Sequence, residues 1–103
     1  RYPVVGRYSD DLGSSIQRPR GSGDFLIILT IDGVGFCRSG EASVELGHGS
    51  VALFRPETPQ DYGTLSSRKP WSFYWAHFLP RPDWVQWLVW DGQTQRPFVR
   101  LCR

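Results

Sequence analysis

Methionine is absent from the 103 residues. A translated chain begins with methionine, so Arg1 is not the expected native start, and the sequence reads as part of a longer or processed protein. Lysine is almost absent too: of the 12 basic residues only Lys69 is a lysine. Coding bias accounts for such arginine enrichment, and so does a need for planar guanidinium forks on a polar ligand. The two cysteines, Cys37 and Cys102, have no C-x-x-C spacing and are too few for a secreted disulfide framework. A reducing, cytoplasmic setting is expected, with both thiols acting as small hydrophobes. No apolar run approaches the ~20 residues of a membrane helix, and no secretory signal is visible. The net charge of +2 and pI of about 8.8 are too weak to argue for nucleic acid.

What is present suits one domain of 11.8 kDa. A chain of this size buries roughly 65% of its unfolded surface. Charged residues make up 21%, so wholesale disorder is not expected. Val4, Val5 and Tyr8 suggest a short strand, and Asp10–Ser15 is turn-rich. Arg18-Pro19-Arg20-Gly21 is a rigid entry, because proline fixes its own φ and restricts its predecessor. Phe25–Ile31 is apolar and rich in β-branched residues, as in a buried strand. Asp32-Gly33 gives a hairpin signal before a strand at Val34–Arg38. Ser39-Gly40 turns into Ala42–Leu46, and Gly47-His48-Gly49 turns into Ser50–Phe54.

Arg55–Tyr62 holds two prolines without periodicity and reads as a loop; Gly63–Pro70 is a polar connection. Trp71–Phe78 is a long strand. Trp71, Phe73, Trp75 and His77 share one face, and Ser72, Tyr74, Ala76 and Phe78 the other. Pro80-Arg81-Pro82 stops it. A helix is expected from Asp83 to Trp90, with Trp84, Trp87 and Leu88 on one side. Trp90 either packs on the local sheet or marks an interface with further helices or a twin subunit. After Asp91 only Phe98, Val99 and Leu101 suggest order. Short strands punctuated by Gly and Pro indicate an all-β fold, a small jelly-roll barrel followed by one short helix.

The chemistry available is limited. His48 reads as an exposed turn histidine and His77 as a hydrogen-bonded strand histidine, so no metal site is expected. There is no G-x-S-x-G, no Cys–His motif, and only a weak carboxylate pair in Glu57 and Asp61. Gly33-x-Gly35 has no following helix and is no phosphate loop. No catalytic residues and no cofactor are expected. The aromatic fraction is 15%, with five tryptophans. Trp71, Phe73 and Trp75 together would overfill a small barrel unless part of it is hollow, and a hollow lined by flat rings suits a small ligand. A sugar's C–H face can lie on an indole while Arg18 and Tyr62 take its hydroxyls.

Four stretches then carry a resemblance: RPRG at 18–21, LTIDGVG at 29–35, GSVALFRPETPQDYG at 49–63 and WSFYWAHFLPRPDWVQWLVW at 71–90. Residues 18–90 resemble the N-terminal effector-binding domain of the AraC family of bacterial transcription regulators. The resemblance implies a cupin-like barrel that binds a small effector, often a sugar. It implies ligand roles for Arg18, Tyr62 and Trp75, beside the aromatic wall of Trp71 and Phe73. In the arabinose-responsive member a histidine stands two residues before the stacking tryptophan; here Phe73 occupies that place. Gln60 replaces the usual loop histidine. Residues 1–17 include a possible arm over the ligand. The implied partners are a monosaccharide effector, a second copy in a homodimer, and DNA contacted only through a C-terminal helix-turn-helix domain outside this sequence. A metal-dependent cupin enzyme and a stand-alone carbohydrate-binding module are the alternatives.

Overall fold

The computed structural model describes residues 3–10, 15–39, 42–64, 70–79, 81 and 98–101. Among them are nine strands and no helix: β1 (Val4–Asp10), β2 (Ser15–Arg18), β3 (Phe25–Asp32), β4 (Gly35–Ser39), β5 (Ala42–Leu46), β6 (Ser50–Phe54), β7 (Gln60–Thr64), β8 (Trp71–Phe78) and β9 (Phe98–Leu101). The helix expected over Asp83–Trp90 lies outside the described residues.

The strands form two sheets, β1-β8-β3-β6-β9 and β2-β7-β4-β5. All pairs are antiparallel. β1 lies on β8, β2 on β7, β3 on β6 and β4 on β5. This nesting of pairs around one central hairpin is the jelly roll, so the all-β barrel reading holds. The alternation along β8 sets the layering. Trp71 and Phe73 are buried, whereas Tyr74 between them and Trp75 is exposed. The core gathers Leu26 and Ile28 of β3, Cys37 of β4, Leu46 of β5, Ala52 and Phe54 of β6, Tyr62 of β7, and Trp71 and Phe73. Trp71 spans the gap between sheets so closely that a Cβ on Gly35 of β4 would strike its ring.

Two local expectations change. Asp32-Gly33 makes no hairpin, since β3 and β4 belong to different sheets. Gly33 does adopt φ +72, the turn conformation glycine tolerates, but the chain uses it to step between layers. Tyr62 is in a strand, not a loop. β7 escapes hydropathy patterning because one of its inward residues is polar: Gln60 is 1% exposed. Phe98–Leu101 forms a strand on the edge of β6. The outer face of the five-stranded sheet carries an apolar hollow lined by Ile27, Leu29, Val51, Tyr74 and Ala76 beside β1.

Candidate functional site

The site lies at the end of the barrel where β2 and β8 finish and β1, β3 and β7 begin. Val4 pairs with His77, Leu26 also pairs with His77, and Arg18 pairs with Gln60. The Arg18–Gly21 segment is a tight turn closed by the Gly21 N–H donating to the Arg18 carbonyl at 3.0 Å. Gly21 sits at φ +76 against the Pro56 carbonyl, where a side chain has no room. The turn therefore seats firmly on the Pro56–Thr58 loop, and the Gly23 N–H donates to the same Pro56 oxygen.

A cavity of about 610 Å³ opens here to solvent, within the size range of small-molecule sites. Its walls are Val4 of β1, Arg18 of β2, Gly21, Ser22 and Asp24 ahead of β3, and Trp75 and His77 of β8. A chain of polar side chains runs along it. Arg18 Nη1 donates to Gln60 Oε1 at 2.7 Å and, more weakly, to the Tyr62 hydroxyl at 3.5 Å. Gln60 Nε2 donates to Ser22 Oγ at 3.0 Å. Ser22 Oγ donates to Asp24 Oδ1 at 2.7 Å. His77 Nδ1 lies 2.7 Å from the same oxygen. Burial pushes the Tyr62 hydroxyl's pKa up, and the neighbouring Arg18 only partly opposes this. It stays a neutral phenol at ordinary pH.

Trp75 is half-buried, and its edge contact with His77 has ring centroids 5.7 Å apart. It can lie across β1 because its register partner there is Gly6. Of the residues expected at a ligand site, Arg18 and Trp75 line this cavity, and Tyr62 stands behind Arg18. Trp71 and Phe73 do not line it. They fill the interior, with ring centroids 4.3 Å apart, and Trp71 Nε1–H donates to Thr30 Oγ1 at 3.0 Å. Ser22, Asp24 and His77 were not singled out as ligand residues from sequence. His77 carried one signal, its place on the same strand face as Trp75; Asp24 and Ser22 carried none. Among the described residues, no three His, Cys, Asp or Glu side chains are grouped to hold a metal. Elsewhere, burial, reinforced by Asp61, pushes the Cys37 thiol's pKa from 9.0 up to about 11, which leaves it a poor nucleophile.

The AraC-like ligand binding domain model matches residues 2–103. The chain belongs to that family. The arabinose operon regulatory protein of Salmonella typhimurium is 32% identical over 75 residues, covering 73% of this chain and 27% of that protein. The AraC-like chain thus spans about a quarter of the length of such relatives. In fold it is similar to ToxT from Vibrio cholerae, solved with a bound unsaturated fatty acid. The TM-score there is 0.67 at 14% identity, over 98% of this chain and 41% of ToxT. A cupin domain of an XRE-family transcriptional regulator from Enterobacter cloacae superposes with TM-score 0.57 at 18% identity, over 79% of this chain and 100% of that one. Both likenesses bear on the fold alone.

Proposed function

We propose that this AraC-like domain senses a small hydroxylated effector, a monosaccharide by class, in the cavity beside Trp75. The bound state would control DNA binding by a further domain of a longer protein. The carrying observation is the placement of an indole and the Arg18 guanidinium in one open cavity, with a side-chain hydrogen-bond chain along its wall. A sugar ring buries its C–H face on an indole, and each hydroxyl then needs a polar partner, because an unpaired buried group costs about 1–3 kcal/mol. Arg18 offers donors for this, held in position by Gln60 and Tyr62. The arabinose link of the 32% identical relative favours the same ligand class.

The cavity also suggests how binding is transmitted. Val4 lines it and pairs with His77 through β1. An effector that touches β1 in one of its positions shifts the population toward that position. In this reading the setting is cytoplasmic and the assembly a homodimer. The fatty acid in the ToxT structure belongs to that protein. Here Ser22, Asp24 and His77 put polar groups on the wall, a poor match for an alkyl chain.

The test is titration calorimetry of a monosaccharide panel against the wild type and Trp75→Ala. A binder is expected whose affinity falls at least about fivefold in the variant, as loss of a stacked aromatic costs about 1 kcal/mol or more. A binder with equal affinity for both proteins would place the site elsewhere.

A further inference from the structure

We infer that Asp24 and His77 form the hydroxyl-recognising end of the cavity: Asp24 orients the imidazole, and His77 Nε2 accepts a hydrogen bond from a ligand O–H. The inference rests on the sugar reading above and specifies which chain atoms select the ligand.

An ionised carboxylate only accepts hydrogen bonds. Asp24 Oδ1 takes the Ser22 hydroxyl at 2.7 Å and faces His77 Nδ1 at 2.7 Å, so Nδ1 carries the proton. A neutral ring held in that tautomer presents Nε2 as a lone-pair acceptor. The pair is well sheltered, with side-chain exposures of 19% for His77 and 9% for Asp24, so the geometry is not averaged away by solvent. The ring borders the cavity and meets Trp75 edge-on. Arg18, on the same wall system, can only donate.

The cavity therefore offers fixed donors from β2, an acceptor from the end of β8, and an indole beside that acceptor. The complementary ligand carries a lone-pair oxygen toward Arg18, an apolar C–H face toward Trp75, and a free hydroxyl toward His77. With the ring neutral, a carboxylate or phosphate at the His77 end would meet the Nε2 lone pair and the nearby Asp24 side chain, so a hydroxyl is the better match there. Ring alcohols with several free hydroxyls meet all three demands. Ethers and deoxy compounds at the His77 position do not. His77 is the ligand contact; Asp24 is a positioning residue that acts through it.

The experiment is calorimetry of pentoses and hexoses, each with its set of monodeoxy analogues, on the 103-residue chain and its variants. For the wild type, one deoxy position should lower affinity about tenfold, the equivalent of one lost hydrogen bond. That penalty should vanish in His77→Phe and survive in His77→Gln, whose amide can both donate to Asp24 and accept from the ligand. The neutral His77 ring should show the Nδ1-protonated pattern in long-range nitrogen–proton spectra of the wild type and a tautomer mixture in Asp24→Asn. An unchanged deoxy penalty in His77→Phe overturns the inference while leaving the sugar reading intact. Should His77→Phe fail to fold, an Nε2-protonated ring in the wild type overturns it as well. If no sugar binds the wild type, the sugar reading falls and this inference with it.

Discussion

Replacing Gly6 by alanine tests the placement of Trp75 through a reversal of sign. Glycine within a strand normally costs about 0.5–1 kcal/mol relative to alanine, so Gly6→Ala would ordinarily stabilise β1. Here a Cβ at residue 6 would stand 2.5 Å from Cζ2 and 2.7 Å from Cε2 of Trp75, and 3.1 Å from its Nε1. Carbon atoms pack comfortably at about 3.5–4.0 Å, so the indole must retreat by about 1 Å or β1 must lift off β8. Overpacking of this kind costs about 1–3 kcal/mol, which outweighs the gain in backbone preference. The net expectation is a loss of about 1–2 kcal/mol. Urea denaturation would show it as a lower midpoint, and the Trp75 indole N–H resonance would move in a nitrogen–proton correlation spectrum. A variant that is more stable than the wild type, with that resonance unshifted, would refute the indole's position against β1.

Thr30→Val keeps the shape of the side chain but removes the acceptor of the buried Trp71 N–H. It should cost about 1–3 kcal/mol by chemical denaturation, and a neutral result would argue against that bond. Cys37 has its pKa raised from 9.0 to about 11, so the folded state retains the proton longer than the unfolded chain does. Its contribution is intact below pH about 9 and is lost as pH rises toward 11, amounting to about 2–3 kcal/mol. Stability curves against pH should flatten over that window in Cys37→Ala, and an unaltered slope would contradict the assignment. Gln60→Leu should leave Arg18 and Ser22 without their shared partner, lowering stability by about 1–3 kcal/mol and weakening sugar binding in calorimetry; full retention of both would count against the polar chain.

The legible parts of this chain were those in which hydropathy and geometry agree. Trp71, Phe73, Trp75 and His77 alternate strictly with their neighbours, and β8 has that layering. Phe25–Ile31 and Ser50–Phe54 are apolar enough to mark buried strands directly. β7 was hidden because its inward Gln60 is stabilised by hydrogen bonds with Arg18 and Ser22 rather than by apolar contact, and no hydropathy pattern reports that. The step between sheets at Asp32-Gly33 looks the same in sequence as a hairpin, since the turn chemistry is shared and only long-range pairing separates the two. The site divides along similar lines. Trp75 stood out from the sequence as part of an aromatic strand, and Arg18 from its place before β3. Asp24 and His77 are 53 residues apart and meet only because β3 pairs with β8, with Phe25 opposite Phe78 and Leu26 opposite His77. The aromatic wall imagined as one surface splits because Thr30 and Gly35 accommodate Trp71 inside the barrel, leaving Trp75 alone at the open end.

The most direct measurement is a crystal structure of the chain with the tightest monosaccharide from the calorimetric panel. The sugar's C–H face should lie against the Trp75 indole, with one oxygen on the Arg18 guanidinium and one hydroxyl within hydrogen-bond distance of His77 Nε2. A sugar seated elsewhere, such as the hollow on the outer face of the five-stranded sheet, with the indole bare, would contradict this placement.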